Sequence, residues 1–138
     1  MAAPRILQEA GDRDRIVIPV GAATNLEKGD LLSYESSEAV LLDADTEDAT
    51  FAGYAINAVS SDFSEPDRIV AGLKGIIEYD AASATYTVGQ QLKYSAKNTV
   101  TDAAAANTLA WAAEGKTGTR VATLIDVVAL GKLFGVSA

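Results

Sequence analysis

The carboxylates are the first place to look for chemistry in this chain. Asp43-Ala44-Asp45-Thr46-Glu47-Asp48 opens like a calcium loop. A calcium hand would need Gly where Asp48 stands and a bidentate Glu where Tyr54 stands. The run therefore reads as a solvated acidic loop that protects neighbouring strands from edge pairing. Asp30, Glu78, Asp80 and Asp126 fall at expected turns or strand ends, and two facing carboxylates suffice for glycoside hydrolysis. Gly115-Lys116-Thr117 resembles the end of a phosphate loop, but no glycine stands at 109–110 and a strand follows, so it reads as a β-turn. Tyr34, Tyr54, Tyr86, Tyr94 and Trp111 could stack a ligand. Aromatics spread over separate strands are more often core or subunit contacts with their polar tips at the rim.

What is missing narrows the chemistry further. The 138 residues contain no His and no Cys. Without them the chain lacks the usual general base near neutral pH, the commonest metal ligand, a thiolate nucleophile and any disulfide. The expectation is a protein without catalytic residues, metal or cofactor. The net charge of −8 argues against a nucleic-acid binder. Charge is uneven: residues 27–67 hold 11 acids against Lys28 alone, whereas seven bases and five acids follow from Arg68 onward.

The elements that must position these residues are short strands. One domain is the default at this length, and a fold of this mass hides roughly 67% of its extended-chain surface. Alanine supplies 26 of the 67 apolar residues, so the core is thin, and association with further copies would add burial. No window approaches a membrane span and no secretory segment is visible. The expectation is a soluble protein of a reducing compartment.

Residues 1–15 read as a flexible N-terminal arm, with Pro4, Gly11, alternating charges at 12–15 and a small apolar patch at Ile6-Leu7. Residues 16–138 read as a single β domain. Ile16-Val17-Ile18 begins it, and strands are expected at Leu31–Tyr34, Ala39–Leu42, Phe51–Val59, Arg68–Tyr79, Gln91–Tyr94, Asn98–Thr101, Thr108–Ala113 and Thr119–Val128. Gly72 and Gly75 suggest bulges or sharp bends. Thr101–Asn107 is the one expected short helix, with Asp102 as its cap.

The chain also echoes itself. Gly29, Leu32, Tyr34 and Val40 are matched by Gly89, Leu92, Tyr94 and Val100, and Phe51–Ala55 by Leu109–Ala112 with a small deletion. Each unit would be a glycine turn, a hairpin and a third strand with a central aromatic. Two stacked units would make a small antiparallel β-barrel or β-sandwich, an all-β fold.

Gly29-Asp-Leu-Leu, Phe51-Ala-Gly-Tyr-Ala, Val70-Ala-Gly-Leu-Lys-Gly-Ile-Ile-Glu-Tyr79, Val88-Gly-Gln-Gln-Leu-Lys-Tyr94 and Thr119-Arg-Val-Ala-Thr-Leu-Ile-Asp126 together resemble the capsid decoration (cement) proteins of tailed phages and prophages. The resemblance runs from about Ile16 to Asp126. It implies a homotrimer on the outer surface of a virion, made in the host bacterial cytoplasm and bound to the major capsid protein at three-fold or quasi-three-fold positions, which stabilises the shell. It also implies an N-terminal arm that reaches the shell, here Arg5, Ile6 and Leu7. The tail after Asp126, with Ala129 to Ala138 as its last ten residues, exceeds the usual ending. Two alternatives remain at this point: a carbohydrate- or receptor-binding module of a virion, and a small carboxylate-based hydrolase.

Overall fold

The computed structural model describes residues 3–20, 25–35, 38–42, 51–59, 68–103 and 108–130. The strands are β1 (Arg5–Gln8), β2 (Arg15–Pro19), β3 (Leu31–Glu35), β4 (Glu38–Leu41), β5 (Phe51–Ala55), β6 (Arg68–Gly72), β7 (Lys74–Tyr86), β8 (Gln91–Ala96), β9 (Thr99–Asp102), β10 (Ala110–Ala112) and β11 (Lys116–Asp126). A 3-10 turn at Asp12–Asp14 joins β1 to β2, and the helix α1 (Val127–Leu130) follows β11. The all-β expectation holds. No helix among the described residues is long and apolar enough to cross a membrane.

The strands form two sheets with one connectivity. The first runs β2-β6-β5-β3-β4, and the second runs β7-β11-β10-β8-β9 with β1 added on the far edge of β7. Advancing every strand of the first by five gives the second. In the second unit a parallel pairing of Asp80 with Thr99 and Ala81 with Val100 joins β7 to β9, closing a five-stranded barrel. In the first unit β2 lies beside β4 without a ladder between them among the described residues. Pro19, paired with Arg68, stands where Asp80, paired with Arg120, stands in the other unit. A proline has no N–H to give to such a seam.

The duplication extends to single hydrogen bonds. Gly29 N donates to Ala55 O at 2.8 Å, and Gly89 N to Ala112 O at 2.8 Å. Leu42 N reaches Leu31 O, and Ala103 N reaches Gln91 O, both at 2.9 Å. The Asp30 carboxylate accepts from Glu27 N at 2.9 Å, and the Gln90 amide oxygen from Thr87 N at 3.1 Å. Gly29 and Gly89 turn with φ of 87° and 85°, left-handed values that glycine adopts without strain. The expected repeat is thus present, with one slip. Tyr34 pairs with Ala39, but Tyr94 pairs with Val100. Buried Ala39, not Val40, is therefore the counterpart of Val100. The β8–β9 connection is irregular between Tyr94 and Ala96, which displaces the sequence match by one residue.

Three clusters fill the molecule. One lies inside the first unit and includes Val20, Leu26, Leu32, Ala39, Ala55 and Ile69. Another lies inside the barrel and consists of Ala81, Tyr86, Leu92, Val100, Ala112 and Val121, their counterparts in the same order. The largest joins the two units: Leu31, Leu42, Phe51, Tyr54 and Ile56 from the first meet Ile77, Tyr79, Tyr94, Leu109 and Ile125 from the second. Sequence periodicity misses this third layer, because β5 is buried on both faces.

Several expected details are corrected. The strand at Phe51 ends at Ala55, and Val59 forms only an isolated bridge with Leu26. The expected bend near Gly72 and Gly75 is present, at Leu73, where it divides Arg68–Tyr79 into β6 and β7; the two glycines also admit a ring, since a Cβ on either would run into Tyr54. Thr101 and Asp102 belong to β9, and the rest of the expected helix, 104–107, lies outside the described residues. The helix that forms is α1, where Asp126 Oδ1 accepts from Ala129 N at 3.0 Å. The acidic run 43–48 and the tail from 131 also lie outside the described residues.

Candidate functional site

Arg5, Ile6 and Leu7, read as the contact arm, are laid along the barrel as β1. Arg5 pairs with Glu78 and Ile6 with Ile77, and the register shifts before Gln8 pairs with Ile76. Ile6 packs against the cluster between the units, whereas Leu7 is 46% exposed and the Arg5 side chain is mostly exposed. These residues, with Pro4, Glu9 and Lys28, line an open groove. Tyr54 secures the segment that follows: its hydroxyl accepts from buried Ala10 N at 2.8 Å and donates to Lys74 O at 2.9 Å. Arg15 Nε donates to Ala10 O at 2.8 Å.

The candidate carboxylates are occupied in structural contacts. Glu78 accepts from Arg120 Nε at 2.7 Å, and Asp80 from Arg120 Nη1 at 3.0 Å. A further Arg120 nitrogen donates to Ala3 O, and Arg5 lies 3.4 Å from Glu78. The hydrogen bond from Arg120 holds the Glu78 carboxyl below its ordinary range, away from the raised value a general acid needs. Asp30 is buried; Asn98 Nδ2 donates to it at 2.8 Å. Asp126 caps α1 and sits 3.9 Å from Lys74. Among the described residues no group of three acids is placed to hold a metal ion. Lys116 begins β11 and pairs with Tyr86, opposite a strand and not at the start of a helix.

The aromatics divide by position. Tyr54 and Tyr94 belong to the cluster between the units, Tyr86 to the barrel interior, and Tyr34 packs at the margin of the first unit's cluster. Burial raises the Tyr54, Tyr79 and Tyr86 hydroxyls above their ordinary value, Tyr79 furthest. Trp111 is different. It pairs with Leu124, and Leu124 pairs with Ile76, so the three side chains stand in one row across β10, β11 and β7. Trp111 and Ile76 are half-buried and Leu124 is 40% exposed. Sequence reading named Trp111 but missed Ile76 and Leu124, each a lone large apolar residue on an otherwise polar outward face (with Lys74, Glu78 and Asp80 on β7, with Arg120 and Asp126 on β11) and each followed by a buried Ile.

No protein-family model matches the chain, and no curated protein sequence matches it. Among solved structures, the chain is similar to the head fiber gp8.5 N base of bacteriophage phi29. The two share 15% sequence identity at a TM-score of 0.53, over 81% of this chain and 94% of that one. What the two share is the fold, over a span that takes in most of both units.

Proposed function

We propose that this chain is a structural protein of a phage virion, and more narrowly a decoration protein. It binds the major capsid protein on the outer surface of the shell, as a homotrimer at three-fold or quasi-three-fold positions, and stabilises the shell without catalysis, metal or cofactor. The observation that carries this reading is the fold shared with a phage head fiber base. The occupied carboxylates agree with a non-catalytic role. A clamp that binds one state of a shell stabilises that state by mass action, and three copies multiply modest contacts through effective concentration. Arg5 and Leu7, exposed on β1, are the residues offered to the shell, while Ile6 anchors the strand.

The test is co-sedimentation of purified protein with capsids, with imaging of where it sits. Density at three-fold positions is the expected result, and failure to bind any expanded or unexpanded shell would overturn the reading. Replacing the exposed pair, Arg5→Glu with Leu7→Glu, is expected to leave a folded body that no longer binds; retained binding would reassign the contact away from β1.

A further inference from the structure

The two units meet through unlike surfaces. The first offers the row Gly72, Tyr54 and Leu31, directly paired across β6, β5 and β3. All three are buried, with Tyr54 and Leu31 packed against Ile77, Tyr79 and Tyr94 of the second. The counterpart of that row in the second unit is Leu124, Trp111 and Gln91, extended by Ile76 on β7. Here nothing in the chain's described residues provides the cover that Tyr54 receives. A surface built to the plan of a buried junction is left half open.

We propose that the Ile76–Leu124–Trp111 row is covered by the first unit of a second copy of this chain, repeating between copies the head-to-tail contact made within one. The facing surface would carry the exposed parts of Ile16 and Tyr34, the counterparts of Ile77 and Tyr94 by register; both are half-buried against the first unit's cluster, and Ile16 also packs against the junction cluster. Charge favours the match. Glu35 and Glu38 stand directly opposite each other at the end of the β3–β4 hairpin, next to Tyr34 in sequence but on the other face of the sheet, a like-charge pair that is unfavourable until a cation approaches. Lys93 lies two residues along its strand from Gln91, on the same face as the row, and Lys74 is placed likewise beside Ile76 but shared with Asp126. The acids of 27–67 belong to the first unit's stretch of sequence, and the second unit's stretch is close to neutral. Contact between two first units would set acid against acid, and head-to-tail contact avoids this. Such heterologous contacts close into rings when the rotation permits. A ring of three rests on the homotrimer reading above, whereas the contact itself does not.

The test uses the full purified chain without shells, by light scattering after size exclusion and by the emission of its single tryptophan. Association with a concentration-dependent blue shift of Trp111 is expected. Leu124→Glu is expected to weaken association by roughly 100-fold, as for a central apolar contact, and to leave the circular dichroism unchanged. Tyr34→Glu, on the opposite surface, is expected to do the same. A mixture of the two variants retains one intact contact and forms a heterodimer. A chain that stays monomeric at its highest soluble concentration, or a Leu124→Glu chain that still associates, overturns the proposal. So does a pair of variants that ignore each other, since that result belongs to a face docking on itself. Shell binding by a protein whose Trp111 face proves inert would leave the functional reading standing and remove this one.

Discussion

Asn98 holds Asp30 across the junction between the two units. Its Nδ2 donates to Asp30 Oδ1 at 2.8 Å, and its own Oδ1 accepts from Leu31 N at 3.0 Å. Both residues are nearly inaccessible, so the turn that leads into β3 of one unit is fastened by the turn that joins β8 to β9 in the other. Tyr79 adds to the clasp by donating to Gly29 O at 2.6 Å.

Asn98→Ala is therefore expected to cost about 2–4 kcal/mol, because it strands a buried carboxylate and a buried amide. Asn98 also has a φ of 49°, which Ala tolerates poorly. Asn98→Gly relieves the backbone but not the lost bonds. Urea melts of the two should thus nearly coincide if the clasp dominates, and a Gly variant close to wild type would assign the effect to the backbone instead.

Acid should loosen the Arg120 cluster. The folded state holds the Glu78 carboxyl below its ordinary value of 4.5, first through the hydrogen bond from Arg120. A depressed acid contributes its stability fully above the unfolded pKa and loses it as pH falls through the folded one. Wild type is expected to lose stability more steeply than Glu78→Gln below about pH 4.5, and the two pH profiles to run parallel near neutrality. Equal acid slopes in denaturation midpoints would contradict the assignment.

The paired turns offer an internal control. Gly29 and Gly89 share their φ and their hydrogen bonds, but a Cβ at Gly29 would stand 2.7 Å from Pro4 Cβ, whereas one at Gly89 meets nothing within 4 Å. Gly89→Ala should cost about 1 kcal/mol for its backbone alone. Gly29→Ala should cost more and speed amide exchange in β1, since Pro4 must move. Equal losses at the two turns would mean that the N-terminal segment contributes nothing there.

Tyr54→Phe removes the acceptor for Ala10 N and the donor to Lys74 O without changing the ring. A loss of about 1–3 kcal/mol is expected, with the Ala10 amide exchanging faster than those of β6. Unchanged protection at Ala10 would show that the segment is held elsewhere.

Much of the fold was legible because the repeat writes the same instructions twice. Gly29 and Gly89 mark equivalent turns, and Tyr54 and Trp111 mark equivalent third strands. What escaped was the junction. Burial of β5 on both faces depends on a partner more than twenty residues away, which no local pattern encodes. The N-terminal segment was read as loose because its composition cannot order it alone, but β7 supplies an edge for it. The exposed row was hidden for the converse reason: Leu124 and Ile76 look like core residues in sequence. Along the corresponding rows Gly72 gives way to Leu124, Tyr54 to Trp111 and Leu31 to Gln91, and no local pattern says which of the two rows is covered.

The duplicated connectivity also bears on how the chain is made. Every strand of the first unit precedes β7 in sequence, so its sheet can assemble while the second unit is still being synthesised. Until β7 and β11 emerge, Leu31, Tyr54 and Ile56 have no cover from the second unit. The ribosome thus releases a sheet with a sticky side that only its own later half can quench, and a stalled or truncated product ending near residue 73 would carry that side into the crowded cell, a natural substrate for chaperones and proteases.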